Sequence, residues 1–170
     1  MGVGVGAGVG KPVIGDEGSE RPADTAAVEV RLLGPMALAR NGQPIDLPPS
    51  RKVRALFGYL ALAPQAVTRS SLCELLWDGP DDPRAELRWC LSRIRRVVGE
   101  GRRVITRDDT VRLDLSGCGV DAIAVEEALK QGIAAISLDR CRTLSALFSG
   151  DLMQGLELEN SPHFSAWLVS

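Results

Sequence analysis

The stretch DPRAELRWCLSRIRRVVG, residues 82–99, decides how the rest of this sequence is read. Asp82 before Pro83 is an N-cap and first-turn pair, and Gly99 is a C-terminal stop, so a helix is expected to run to about Val98. At about 100° per residue from Arg84, the residues Leu87, Cys90, Leu91, Ile94, Val97 and Val98 fall within one arc. The opposite side carries Arg88, Trp89, Ser92, Arg93 and Arg96, with Arg84 and Arg95 at its edge. One stripe can be buried while the other faces solvent. Whether the large apolar ring of Trp89 packs inward or makes an outer contact is left open at this point. An arginine stripe on a surface helix is most often only a solvated face, so the reading turns on its neighbours.

After the helix, Arg103 to Leu115 alternates as two strands about Asp108-Asp109. A two-residue turn there pairs Arg107 with Thr110, Ile105 with Arg112 and Arg103 with Asp114. That register puts Arg103, Arg107 and Arg112 on one face and Val104, Thr106, Val111 and Leu113 on the other. Before it, two more helices are expected. Ser50 caps the first, which carries Val53, Leu56, Phe57 and Leu60 at helical spacing and stops at Pro64. Thr68 caps the second, with Leu72, Leu75 and Leu76 on one side, and Asp78-Gly79-Pro80 breaks it. Ahead of these, Val28 to Leu32 alternates as a strand, and Met36–Arg40 and Gln43–Leu47 flank Asn41-Gly42, a strong hairpin signal.

Small sheet, three helices and a β-hairpin make the order of a winged helix-turn-helix, an α+β fold whose N-terminal antiparallel sheet precedes the helices and whose last hairpin is the wing. In that setting the third helix and the hairpin form one basic footprint. The planar fork of arginine suits phosphate oxygens and pairs bidentately with guanine. The helix then belongs in a major groove and the wing on the backbone or in the minor groove of double-stranded DNA. The candidate DNA-binding residues are Arg84, Arg88, Trp89, Ser92, Arg93, Arg95, Arg96, Arg107 and Arg112. Charge supports this only when read locally. The chain has 170 residues, 20 Lys plus Arg and 22 Asp plus Glu, net −2. Residues 28–115, however, carry 15 basic and 11 acidic residues.

Other classes recede. Residues 1–27 are Gly-rich and then polar, and are expected to be a disordered tail. Their even-spaced glycines cannot supply Gly-x-Gly-x-x-Gly, and Pro12 follows Lys11 where a phosphate loop needs Ser or Thr. No run is long and apolar enough for a membrane span, and no secretory signal is evident. Cys73, Cys90, Cys118 and Cys141 contain no Cys-x-x-Cys, and His163 is the single histidine. Free thiols in a reducing cytoplasm are expected, with no metal, no cofactor and no catalytic residues.

The segment from about 120 to 170 reads as helices: Val120 to Lys130, about Leu138 to Phe148, and a last one beginning near Ser161. It is expected to be an incomplete helical module, either because the chain is a fragment or because it is a short natural form.

Several stretches resemble one family. Val30-Arg-Leu-Leu-Gly-Pro35, Arg54-Ala-Leu-Phe-Gly-Tyr-Leu-Ala-Leu62 and Ser71-Leu-Cys-Glu-Leu-Leu-Trp77 resemble the start of the Streptomyces antibiotic regulatory proteins, the SARP regulators. Leu87-Arg-Trp-Cys-Leu-Ser-Arg-Ile-Arg-Arg96 resembles their recognition helix and that of the OmpR/PhoB class. Phe148-Ser-Gly-Asp-Leu-Met-Gln-Gly-Leu156, with Phe164 and Trp167-Leu168, resembles the start of their TPR-like bacterial transcriptional activation domain. The resemblance implies a cytoplasmic activator that binds promoter DNA, often as a homodimer on direct repeats, and contacts RNA polymerase. On matching positions, Arg88, Ser92, Arg93 and Arg96 face the major groove, Arg112 takes the place of the wing arginine, and the Trp77 to Asp82 stretch is the loop that touches polymerase. Thr110 and Val111 replace the Gly and Tyr usual in that wing, and direct control by phosphorylation of an attached phosphoacceptor domain is not expected. The rival reading is a protein-interaction module forming the N-terminal part of a longer signalling protein. An enzyme is more remote, since acid pairs such as Asp81-Asp82, Asp108-Asp109 and Glu126-Glu127 fall in expected caps, turns and helix surface.

Overall fold

The computed structural model describes residues 1–2, 28–79, 82–99 and 103–170. The expected tail therefore lies outside the described residues apart from Met1 and Gly2, as do Pro80 and Asp81. The chain folds as a mixed α+β structure with largely antiparallel pairing, compatible with a winged helix-turn-helix. Strands β1 (Val28–Arg31), β2 (Ala37–Arg40) and β3 (Gln43–Ile45) lead into α1 (Arg51–Leu62). β4 (Val67–Thr68), α2 (Arg69–Leu76) and α3 (Pro83–Val98) follow, then β5 (Val104–Arg107) and β6 (Thr110–Leu113). The chain continues through β7 (Gly119–Val120), α4 (Asp121–Lys130), α5 (Leu138–Ser145) and α6 (Pro162–Leu168), with one 3₁₀ turn at Ile133–Ala135.

Local chemistry explains the boundaries. Ser50, Thr68 and Asp82 each accept the N–H three residues on, which satisfies an amide the helix itself cannot. Asn41 and Gly42 both take positive φ between β2 and β3, as that tight turn requires. The β5–β6 register pairs Arg107 with Thr110 and Ile105 with Arg112, and Asp108 alone of the two turn aspartates takes positive φ.

Three features differ from the sequence reading. Val67 and Thr68 form β4, a third strand beside β6, so the hairpin is part of a sheet ordered β4-β6-β5. Val120 is not the first residue of a helix; it belongs to β7, which pairs parallel with β1, and the helix starts at Asp121. The helix expected to reach Phe148 ends at Ser145, and Leu147 and Phe148 continue only in short turns.

Residues of the expected helical module share the core of the rest. Met153 and Phe164 are fully buried among Leu56, Leu60, Leu72 and Leu76 of α1 and α2 in one continuous cluster. Trp167 meets Tyr59 edge to face at 4.8 Å, and the Ser161 hydroxyl donates to the Leu76 carbonyl at 2.6 Å. Beyond β1, the Leu32 and Leu33 amides donate to the buried Asp121 carboxylate at 2.8–3.0 Å. The carbonyls of Leu32 and Leu33 accept from the amides of Met153 and Ser149. This edge is thus closed by residues from the far end of the sequence.

Two outcomes test the packing. Met153 Sδ and Met36 Cε sit against the Gly58 Cα, where a side chain would go. Gly58→Ala should therefore lower the thermal midpoint, although Ala in a helix normally gains about 0.5–1 kcal/mol over Gly. Burial pushes the Cys90 thiol from 9.0 up to about 12, with Glu86 adding to the effect. Between those values the unfolded chain has released a proton that the folded chain retains, so stability should fall as pH rises above about 9. Urea unfolding on either side of that pH checks this, and Cys90→Ala should flatten the alkaline decline.

Candidate nucleic-acid interface

Helix α3 is built so that one side must turn inward. Leu87, Cys90, Leu91, Ile94 and Val98 are buried against α1, α2 and the hairpin sheet, and Val97 is half-buried. The Arg40 guanidinium donates to the Val97 carbonyl at 3.2 Å and fixes the end of the helix. Arg88 and Arg96 are thereby exposed, and Ser92, Arg93 and Arg95 half-exposed. Ser92 turns its hydroxyl back to the Trp89 carbonyl at 2.7 Å. Trp89 is 45% exposed and carries the Arg93 guanidinium 5.0 Å from its ring centre. The choice that the sequence left open is thus decided against a core role for Trp89. Its ring supports an arginine on the outer side.

The hairpin lies beside this helix. Val104, Val111 and Leu113 are buried, and Arg107 and Arg112 are exposed. Arg103, which the alternation groups with them, behaves differently. Its guanidinium donates to the carbonyls of Asp114 and Ser116 and to the Cys118 thiol at 2.8 Å, so it braces the base of the hairpin. The Ser116 hydroxyl and amide donate to Asp114 and hold its carboxyl below the usual range, aided by the nearby Arg112 and Arg103. Arg84 is a clasp. It donates to the Ser70 hydroxyl at 3.4 Å and lies 4.0 Å from the Asp109 carboxylate, joining α3, α2 and the hairpin turn.

Sequence reasoning missed Arg69. Its amide donates to the Asp109 carbonyl at 2.7 Å, and the β4–β6 pairing brings the start of α2 to the hairpin turn. The two β-branched residues Val67 and Thr68 are the only local signal of that strand. Around the footprint, no described carboxylate makes an ion pair with Arg88, Arg93, Arg95, Arg96, Arg107 or Arg112, whereas Arg84 has Asp109. The arrangement presents unneutralised cations on a rigid helix and a neighbouring hairpin. No group of His, Cys, Asp and Glu among the described residues could hold a metal ion. No described helix is long and apolar enough to cross a membrane.

No family model and no curated protein matches the chain. Among solved structures it is similar to Mycobacterium tuberculosis EmbR, determined in complex with a low-affinity phosphopeptide, with a TM-score of 0.65 and 18% identity. The match covers 85% of this chain and 41% of that one, so this chain spans less than half the length of the EmbR chain. At this identity the likeness establishes a shared fold. Its extent exceeds what residues 28–115 alone could supply, so it includes part of the C-terminal segment.

The geometry separates α3 residues by role. Trp89→Ala should change stability by no more than about 1 kcal/mol, as for a partly exposed cation–π pair. Leu91→Ala on the opposite side should cost about 2–5 kcal/mol. Chemical denaturation of both variants measures the difference.

Proposed function

We propose that this chain is a sequence-specific transcription regulator that binds double-stranded promoter DNA, with α3 in the major groove and the β5–β6 hairpin as a wing on the backbone or in the minor groove. The observation carrying the reading is the row of arginines on the outer side of α3, unpaired with described carboxylates and flanked by Arg107 and Arg112. Counterion release by these groups supplies affinity, and base-edge contacts from α3 supply specificity. Arg88, Arg93, Arg95 and Arg96, with Trp89 and Ser92, are assigned to the duplex; Arg84 serves chiefly to hold α2, α3 and the hairpin turn together. Arg69 is added as a backbone contact at the start of α2. The activity is binding, without catalysis, metal or cofactor. The resemblance to the SARP regulators extends the proposal to a cytoplasmic activator that contacts RNA polymerase and occupies direct repeats as a homodimer.

The second reading, a protein-interaction module, is favoured by a different surface. Leu129, Ile133 and Leu138 are more than half exposed along α4 and the turn into α5. Under that reading the basic face is merely solvated.

Fluorescence anisotropy of labelled duplex across a salt series distinguishes them. The DNA reading expects affinity that falls steeply with salt, by a log–log slope of about 0.9 per phosphate neutralised. Arg93→Ala/Arg96→Ala should weaken binding, by about 1–3 kcal/mol for each residue that contacts a base. Absence of low-salt binding by a chain shown to be folded would leave the interaction module.

A further inference from the structure

Beside the basic face lies a concavity that DNA binding alone does not explain. A groove of about 380 Å³ runs between α3 and the linker from β3 to α1. Leu47, Pro48, Pro49 and Val97 form its apolar walls, and Trp89, Arg93 and Arg96 border it from α3. This is the size of a small-ligand site, about 300–1,000 Å³. It is also preformed. The two prolines fix the backbone of the linker, and the bond from Arg40 to the Val97 carbonyl holds the opposite wall.

The groove's charges favour an anion. Among the described residues that line it, Arg93 and Arg96 outnumber the one carboxylate, Asp46. Ser50, the N-cap of α1, also lines the groove, and the first turn of α1 has no acidic residue. The positive end of that helix dipole is therefore uncompensated by its own side chains. Trp89, 45% exposed, adds aromatic surface next to the two guanidinium groups. The indole and the proline wall both offer apolar surface to an aromatic ring, and a carboxylate suits the forked donors of arginine.

We propose that the groove binds a small planar aromatic carboxylate, its ring against Pro48, Pro49 and Val97 and its carboxylate on Arg93 and Arg96. Such a ligand engages two arginines assigned above to the duplex, so ligand and DNA compete. The competition rests on the DNA reading; the site itself does not.

Calorimetric titration with 2-naphthoate and its neutral isostere 2-naphthamide tests the site. The acid should bind the parent chain about tenfold more tightly than the amide, the worth of a charge-assisted hydrogen bond. Arg93→Gln should erase most of that preference. Pro49→Trp, at an exposed position on the rim of the groove, should abolish 2-naphthoate binding in a chain whose circular dichroism shows it to be folded. Equal binding of acid and amide, no binding by the parent, or undiminished binding by a folded Pro49→Trp chain would overturn the site. Saturating 2-naphthoate should also lower the anisotropy of a duplex complex, and an unchanged signal would overturn the competition. Selective 2-naphthoate binding by a chain that shows no salt-dependent DNA affinity would retain the site and reject the regulator reading.

Discussion

Burial of one side of α3 is the constraint from which the surface follows. Leu87, Leu91 and Ile94 are at most 1% exposed, and together with Cys90 and Val98 they fill the space between α1, α2 and the hairpin sheet. Rotating the helix to hide an arginine would bring these residues into water, at about 1.5–3 kcal/mol for each large apolar side chain. It would also bury a guanidinium among the apolar side chains of α1, α2 and the hairpin sheet. The outward direction of Arg88, Arg93 and Arg96 is therefore a by-product of packing on the opposite side. A surface held in this way is rigid, which favours recognition because little ordering entropy remains to be lost on binding.

A second set of contacts fixes the surroundings of that helix. The edge at Leu32, Leu33 and Gly34 finds its hydrogen-bond partners in Asp121 and in Ser149, Met153 and Gln154. An unpaired buried amide costs about 1–3 kcal/mol, so the edge would be poorly satisfied without the C-terminal segment. Phe164 and Met153 meanwhile complete the packing over α1 and α2. The C-terminal residues thus act as a brace for the three-helix unit.

The elements written in local signals were legible in the sequence. Caps at Ser50, Thr68 and Asp82, the Asn41-Gly42 turn and the apolar arc of α3 each depend on residues a few positions apart, and the register of the β5–β6 hairpin followed from its two-residue turn. What was not legible depends on long-range pairing. β4 and β7 are two residues each, too short to show alternation, and exist because β6 and β1 offer them an edge. The same holds within the basic surface. Its arginines share one stripe by spacing, but only the fold distinguishes Arg103, bound to the Cys118 thiol and two carbonyls, from the exposed Arg107 and Arg112. Trp89 lies by angle between Arg96 and Arg93, and its exposure in the fold agrees with that position.

Net charge illustrates why placement matters more than composition. The chain is slightly acidic overall, yet charges more than about 10 Å apart in solvent are largely screened at 0.1 M salt. An acidic residue weakens a phosphate contact only if it lies close to the arginine concerned. Among the described residues, Glu157, Glu126 and Asp139 of the C-terminal segment pair with Arg51, Lys130 and Arg142, on α1, α4 and α5. The single described ion pair within the footprint, from Arg84 to Asp109, is itself part of the contact between α3 and the hairpin turn. Its distance of 4.0 Å and the exposure of both side chains make it weak as a source of stability. Its consequence is orientation: it holds the first turn of α3 against the hairpin turn, while the exposed arginines further along the helix have no described carboxylate paired with them.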